Sequence, residues 1–222
     1  MSGQNSRGNG FAIAISAAVV ILLVLVGLLV VWLNSGGSDT GAPDDPAEVS
    51  SGVLTVGGGP ADVEIWFDYA CPHCQQFEMI YGEAVGELVD DGEITLRLHP
   101  VALPSLNAAS GTEFSARAGG ALLCVAEHSA TAALEFHEEL FELRPSGPGL
   151  DDDALSELAA DAGAPAASDC IAAATHLETV VAHTSQLPRD ANGGAGTPTL
   201  VIDGEYISIT GSVEADLLDR VG

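Results

Sequence analysis

The order of the predicted elements is the feature that most constrains the fold of this chain. Strand-like segments occur in two groups, and residues 107–186 between them have a helical pattern instead. In the first group, residues 63–69 (VEIWFDY) are apolar, β-branched and aromatic, and residues 94–101 alternate between apolar and polar. In the second group, residues 199–202 and 206–210 flank an Asp-Gly turn. The sequence therefore predicts a mixed α/β domain with a helical subdomain inserted in its middle.

The inserted segment shows the spacing of amphipathic helices. Apolar residues recur at i, i+3, i+4 and i+7, as at Ala118, Ala121, Leu122 and Val125. Residues 145–149 (PSGPG) interrupt the pattern. A last helix of the insertion is predicted to begin at Ser168 or Asp169, with Leu177 and Val181 on its buried face.

A long uncharged segment precedes the domain. Residues 11–33 contain no charged side chain, and as a helix they would extend about 35 Å, enough to span a bilayer. A cleaved signal peptide is the alternative, but its apolar region is normally about 7–15 residues long and ends in small residues. Here Trp32 and Leu33 occupy the outer end. We therefore predict a retained transmembrane anchor at residues 11–33.

The orientation of this anchor follows from the basic residues around it. Arg7 precedes the span and no other Lys or Arg follows until Arg97, which predicts that residues 1–10 are cytoplasmic. Residues 34–50, rich in Gly, Ser, Asp and Pro, are predicted to be a flexible linker. The remaining segment, residues 51–222, is then an extracytoplasmic domain on a single-pass protein of the cell membrane.

The charge balance excludes one class of partner. The net charge is −26 and the chain has no lysine. A surface of this kind does not bind nucleic acid or anionic lipid through their phosphates. The simplest interpretation of the charge is solubility, and a basic protein partner is the alternative.

Two cysteines lie where a predicted buried strand passes into a predicted helix, in Cys71-Pro72-His73-Cys74. The free N–H groups and the dipole of a helix N-terminus stabilise a thiolate, which lowers the pKa of Cys71 and makes it the reactive cysteine. Cys74, one turn further on, is shielded and can resolve a mixed disulfide. Pro72 suits the first helical turn. His73 favours the Cys71 thiolate over the disulfide, and a stabilised reduced form makes a stronger oxidant.

The alternatives for this pair are a static disulfide or half of a zinc site. Zinc would need two further ligands, and the sequence has no second Cys-x-x-Cys and no clustered pair of histidines. We therefore predict no metal and no cofactor.

The other two cysteines are Cys124 and Cys170, each inside a predicted helix and flanked by alanines. They are predicted to form a structural disulfide that joins two helices of the insertion. In the chain-entropy model such a disulfide contributes on the order of 4 kcal/mol. A redox relay through this pair is the alternative.

The motif resembles a known family. Residues 67–74 (FDYACPHC) are similar to the active-site segment of DsbA-like thiol–disulfide oxidoreductases, and residues 196–199 (GTPT) are similar to the loop that carries the cis-proline of that family. The resemblance covers about residues 53–222. It implies a thioredoxin fold with a helical insertion, a cis peptide bond before Pro198, and pairing of the Thr197 backbone with a bound substrate peptide.

One position departs from the pattern of thioredoxin-like proteins. Many of them place a buried acid six residues before the first cysteine, where it moves protons to and from the buried thiol. This chain has Ile65 there, Glu64 should point to the opposite face of the strand, and Asp68 lies at the loop entry. Either water and Asp68 provide the proton route, or Cys74 is deprotonated less readily. An acid so close to a loop is typically solvated.

These features predict an oxidase that donates its disulfide to thiol-containing exported proteins. The resemblance implies that a quinone-linked membrane partner reoxidises it. One alternative is a membrane-tethered reductase or isomerase, for example in cytochrome maturation. Another is a non-catalytic extracytoplasmic binding or chaperone module. The fold alone does not decide among them.

Overall fold

The computed structural model describes residues 47–143 and 146–222. Its strands form one sheet and are β1 Glu48–Ser50, β2 Val53–Gly57, β3 Ala61–Phe67, β4 Ile94–Pro100, β5 Thr199–Ile202 and β6 Glu205–Ile207. Its α-helices are α1 Pro72–Asp90, α2 Pro104–Ser110, α3 Phe114–Ala126, α4 Ala130–Glu142, α5 Asp152–Asp161, α6 Ser168–Ala172, α7 Leu177–His183 and α8 Asp219–Val221. Short 3₁₀ turns lie at Pro165–Ala167 and Thr184–Gln186, and a π-helical turn lies at Glu214–Leu218.

The sheet is mixed, with the strand order β1-β2-β4-β3-β5-β6. Strands β3 and β4 are parallel because α1 connects them as a crossover, whereas all other neighbours are antiparallel. Helices α2 to α7 lie between β4 and β5 in the chain. The prediction of an α/β fold with a helical insertion is therefore confirmed.

The two faces of β3 contact different cores. Val63, Ile65 and Phe67 belong to the main core, together with the buried face of α1 and most of the insertion. Trp66 points the other way and packs in a smaller cluster with Val101. The alternation along β3 therefore fixes the direction of each side chain just before the strand reaches the Cys-x-x-Cys segment.

The insertion is held together by apolar packing and by one covalent bond. Helix α3 is buried along almost its whole length. A disulfide joins Cys124 in α3 to Cys170 in α6, with a Cα–Cα distance of 5.8 Å.

Two local predictions are wrong. Strand β1 falls inside the predicted linker 34–50, because Ser51 and Gly52 form a tight turn with φ of 53° and 90° that lets Val49 pair with Leu54. The domain therefore begins earlier than predicted.

The predicted last helix of the insertion is divided in two. Ala174 has a left-handed φ of 49°, and the N–H of Thr175 bonds to the carbonyl oxygen of Cys170 at 3.2 Å, which ends α6. Helix α7 begins at Leu177, three residues after Ala174, and in it Val180 is buried whereas Val181, predicted to be buried, is exposed.

In residues 47–143 and 146–222, no helix is long and apolar enough to cross a membrane. The predicted anchor at residues 11–33 and the predicted cytoplasmic segment 1–10 lie outside the described residues.

Three aromatic rings are stacked on the side of the sheet away from α1. The ring of Trp66 stacks on His99 at 3.9 Å and on His183 at 4.8 Å between centroids. His99 Nδ1 and His183 Nε2 are 3.1 Å apart, and His99 Nε2 lies 3.2 Å from Oε2 of Glu64. Burial and the neighbouring His99 lower the pKa of His183 to about 4.

This shift makes the stability of the fold depend on pH. The unfolded state binds more protons at His183 between pH 6.5 and about 4, so the free energy of unfolding falls as the pH falls through that range. Through His183 alone, the free energy of unfolding is about 3 kcal/mol lower at pH 4 than at pH 7. We expect the stability difference between the wild type and His183→Gln to shrink by that order between pH 7 and pH 4, measured by denaturant unfolding. The surface variant His128→Gln is the control, and a constant difference for His183→Gln would contradict the prediction.

Candidate active site

The junction between β3 and α1 positions the first cysteine. Cys71 is the N-cap of α1, with φ −85° and ψ 117°, and Pro72 occupies the first helical turn. The Cys71 N–H bonds to the carbonyl oxygen of Asp68 at 2.9 Å, and the Cys74 N–H bonds to the carbonyl oxygen of Cys71 at 3.1 Å. The turn therefore places the Cys71 sulfur at the positive end of the helix, as the sequence predicts.

The two sulfurs have opposite electrostatic environments. Both cysteines are free thiols, and Cys71 is 5% exposed while Cys74 is 1% exposed. A hydrogen bond from the Cys74 thiol, assisted by Thr197 and by the backbone N–H groups of Cys74 and His73, lowers the pKa of Cys71 to about 5 against the effect of burial. Burial raises the pKa of Cys74 well above its usual value, and the neighbouring Cys71 raises it further. Cys71 is therefore the thiolate of the reduced pair.

The loop before β5 closes the site from the opposite side. The peptide bond between Thr197 and Pro198 is cis, and the Thr197 carbonyl oxygen lies 3.5 Å from the Cys71 sulfur. The Thr197 hydroxyl is buried, makes no hydrogen bond of normal geometry, and faces both sulfurs. Residues 71–74 and 197–198, more than a hundred positions apart in the chain, therefore meet at one place.

Asp68 is fully buried, so the expectation that it is solvated is wrong. Its carboxylate accepts hydrogen bonds from the backbone N–H groups of Ala70 and Leu103, both at 2.8 Å. Burial raises its pKa, although these N–H groups and the nearby Ser115 hydroxyl favour the charged form, and the charge of Cys71 raises it further. The backbone of Asp68 also faces the Cys74 sulfur. A buried acid thus lies three residues before Cys71, whereas Ile65 occupies the position at which many thioredoxin-like proteins carry one.

His73 is exposed at the rim of the site, between the two cysteines. It lines a cavity that also contacts Thr197 and Pro198. It is therefore positioned to meet a bound substrate as well as to affect Cys71.

A buried hydrogen-bonded chain connects the site to the insertion, and the sequence did not predict it. The Tyr69 hydroxyl lies 2.9 Å from His137 Nδ1, and His137 Nε2 lies 3.3 Å from Oε2 of Glu78 in α1. The Gln75 side chain donates to the carbonyl oxygen of Phe141 at 2.9 Å. The sequence signal that could have found it is that His137 directly follows the apolar Phe136 within the segment of helical spacing. This chain fixes α4 against the first two turns of α1.

One group of possible metal ligands lies close together in the described residues. It consists of Cys124, Cys170 and His176, and its two sulfurs are joined to each other in the disulfide. His176 Nε2 lies 2.9 Å from Oε1 of Glu127.

A model of the thioredoxin family matches residues 54–218 of this chain. No curated protein matches the chain significantly. Among solved structures, reduced DsbA from Mycobacterium tuberculosis is similar with a TM-score of 0.66 and 29% identity, over 76% of this chain and 90% of that one. Oxidised Mtb DsbA has a TM-score of 0.64 and 32% identity, over 81% and 93% of the two chains. Reduced DsbG from the same organism has a TM-score of 0.64 and 31% identity, over 75% and 81%.

The fold, the family match and these similar structures together define a thiol–disulfide oxidoreductase. The protein belongs to the thioredoxin family and, within it, to the DsbA-like enzymes.

The asymmetry of the two thiols can be measured in the reduced protein. We expect alkylation of Cys71 by iodoacetamide to rise with a midpoint near pH 5, because that is where the thiolate forms. Cys74→Ala removes the strongest donor to the Cys71 sulfur and should move the midpoint upward. Cys74→Ser retains a donor and is the matched control. A midpoint near pH 8.5 in the wild type would refute this account of the site.

Proposed function

We propose that this enzyme acts as an oxidase that introduces disulfide bonds into exported proteins. The observation that carries the proposal is the position of the Cys71 sulfur, at the N-terminus of α1 and 3.5 Å from the Thr197 carbonyl oxygen, where the surrounding donors lower its pKa to about 5 while the pKa of Cys74 is raised. A stabilised Cys71 thiolate favours the reduced pair, so the Cys71–Cys74 disulfide is a strong oxidant. The DsbA relatives from M. tuberculosis support the same chemistry.

The reaction has two displacement steps. A substrate thiolate attacks the Cys71 sulfur of the disulfide, which forms a mixed disulfide and releases the Cys74 thiolate. A second substrate thiolate then attacks the substrate sulfur of the mixed disulfide, which forms the substrate disulfide and releases the Cys71 thiolate. The substrate loses two electrons and the cysteine pair gains them. Because the Cys71 thiolate is stabilised, it is a good leaving group in the second step.

The cis-proline loop would hold the substrate during these steps. The Thr197 backbone lies beside Cys71 and belongs to an irregular segment before β5, so it can pair with an extended peptide. Pro198 has no N–H of its own to compete for that pairing. An extended segment of substrate bound here would bring its cysteine towards the Cys71 sulfur.

Asp68 would supply the proton that Cys74 needs. Cys74 leaves the disulfide as a thiolate, and its raised pKa means that it takes up a proton in its buried position. The Asp68 carboxyl, whose pKa is raised by burial, can give this proton and take it back during reoxidation. Asp68 thus performs the task that other thioredoxin-like proteins assign to the position of Ile65.

The place and partners of the reaction are part of the same proposal. An anchor at residues 11–33 would hold the domain outside the cell membrane, in a compartment where disulfides persist. The substrates are thiol-containing exported proteins, and a quinone-linked membrane partner reoxidises the Cys71–Cys74 pair. The uniformly acidic composition disfavours nucleic acid as a partner.

The competing function is a membrane-tethered reductase, and the reduction potential of the Cys71–Cys74 pair separates the two. Equilibration with glutathione buffers, followed by thiol trapping, should give a value near −120 mV for an oxidase and near −270 mV for a thioredoxin-like reductase, which are about 7 kcal/mol apart. We expect a value close to the oxidising limit.

The need for Cys71 is tested separately. Cys71→Ser should abolish the oxidation of a reduced substrate protein, and retained function in that variant would instead support a binding or chaperone module.

The proton route is tested by Asp68→Asn. We expect oxidation of the reduced pair to slow by about tenfold or more near neutral pH, because Cys74 loses its proton acceptor. The Cys71 pKa should not rise, since the substitution removes a negative charge from its surroundings. Stopped-flow mixing with thiol quenching over a pH series measures both, and Asp91→Asn on the surface is the control. An unchanged rate would assign proton transfer to water.

A further inference from the structure

A cavity of about 370 Å³ adjoins the redox pair. Helix α1 forms one wall through Phe77 and Ile80, the cis-proline loop contributes Thr197 and Pro198, and residues 209–211 form the opposite wall. None of the described residues that line it is acidic, although the sequence contains 32 aspartates and glutamates. The groove is therefore a surface without acidic side chains, about half apolar and half polar, on an acidic protein.

The wall formed by residues 209–211 is not paired with any strand of the sheet. Strand β6 ends at Ile207, and residues 208–211 belong to no strand or helix. The backbone N–H groups of such a segment need other acceptors, and these acceptors decide where the wall stands.

Asp216 supplies those acceptors. Its Oδ2 accepts hydrogen bonds from the backbone N–H groups of Thr210 at 2.7 Å and of Gly211 at 3.1 Å. Its Oδ1 accepts from the Thr210 hydroxyl at 2.8 Å. Hydrogen bonds to an ionised acceptor are about twice as strong as neutral ones. One carboxylate therefore fixes two consecutive residues of the wall.

Tyr81 connects this carboxylate to the other wall. Its hydroxyl donates to Oδ2 of Asp216 at 2.5 Å and accepts from the Gly211 N–H at 3.0 Å. Its ring stacks on Phe77 with 4.4 Å between centroids, and Phe77 itself lines the groove. The pair therefore joins α1 to the segment across the groove.

Both members of the pair are buried, Tyr81 with 1% and Asp216 with 3% of its surface exposed. Burial acts to raise the pKa of Asp216, but the hydrogen bonds from Tyr81, Thr210 and Gly211 outweigh it, so the carboxyl is ionised at neutral pH. Asp216 lies in the π-helical turn Glu214–Leu218. Such turns are rare and often occur at functional sites.

We propose that Asp216 and Tyr81 are positioning residues that set the width of this groove and thereby select an extended substrate segment with an uncharged residue beside its reactive cysteine, which Phe77, Ile80 and the other apolar lining side chains can contact. The proposal rests on the proposed function, because it concerns the substrate of the same site. The pair touches neither sulfur in the structure, so it acts through the wall and leaves the chemistry of Cys71 unchanged.

The test compares a substrate that fills the groove with one that does not. The probes are a reduced two-cysteine peptide with Leu beside its first cysteine, the same peptide with Glu in place of Leu, and dithiothreitol. Oxidised glutathione is the electron acceptor that restores the Cys71–Cys74 disulfide after each turnover, and the rate without enzyme is subtracted. The variants, made in the full chain, are Asp216→Asn, which keeps the shape and removes the charge, and Tyr81→Phe, which keeps the stacked ring and removes the hydroxyl. Asp203→Asn and Tyr206→Phe, at the β5–β6 hairpin, are matched controls.

We expect the wild type to prefer the Leu peptide to the Glu peptide. In both variants the KM for the Leu peptide should rise by about fivefold to tenfold, which corresponds to the net contribution of one ordinary hydrogen bond. The kcat and the rate with dithiothreitol should each stay within about twofold of the wild-type values. The reduction potential should stay within about 10 mV of the wild type, which is the same twofold limit for a two-electron couple. Amide exchange at Thr210 and Gly211 should accelerate in both variants, and neither control should differ from the wild type.

An unchanged KM for the Leu peptide in both variants would overturn the inference, and so would an equal loss with dithiothreitol and with peptide. If Asp216→Asn does not fold, Tyr81→Phe carries the test, since it deletes a single oxygen atom. Failure of the proposed function has a different signature: a reduction potential near that of thioredoxin and no net oxidation of the reduced Leu peptide by the wild type. In that case the same KM comparison is made with the disulfide form of the Leu peptide as substrate.

Discussion

The hydrogen bond from the Cys74 thiol to the Cys71 sulfur is the interaction on which the electrostatics of the candidate site depend. It exists because a strand ends four residues before Cys71 and a helix begins at Pro72, so that both sulfurs lie at a helix N-terminus. Burial alone would disfavour a thiolate here, yet the donors around Cys71 outweigh it. The same burial keeps Cys74 protonated. One local geometry therefore gives two identical side chains different roles.

Three buried polar groups hold α1 in place around this contact. Asp68 ties the loop before the helix to the start of the insertion at Leu103. His137 joins Tyr69 and α1 to α4. Asp216 joins the middle of α1 to the C-terminal segment. Each group has hydrogen-bond partners on a different element, and a buried polar group without them would be costly. The redox helix is thus positioned by specific directional bonds as well as by its apolar face.

The success of the sequence predictions follows from which signals are local. The strand alternation, the helix spacing and the Cys-x-x-Cys junction depend on neighbours within a few residues, and the structure contains the corresponding elements. The division between α6 and α7 was missed because Ala174 adopts a left-handed backbone without a glycine to signal it. The burial of Asp68 was missed because its cover comes from Leu103 and Ser115, far along the chain.

By itself, the sequence determined the class of fold, the cysteine that lies at the positive end of the helix and the segment that carries the cis-proline. Those properties follow from periodicity, from the positive end of a helix and from a short motif. Only the tertiary structure decided which acid lies beside the redox pair, how the insertion is joined to α1, and what shape the groove beside Cys71 has. Burial and hydrogen bonding between distant residues create these features, and a linear pattern of residue types does not record which distant groups meet.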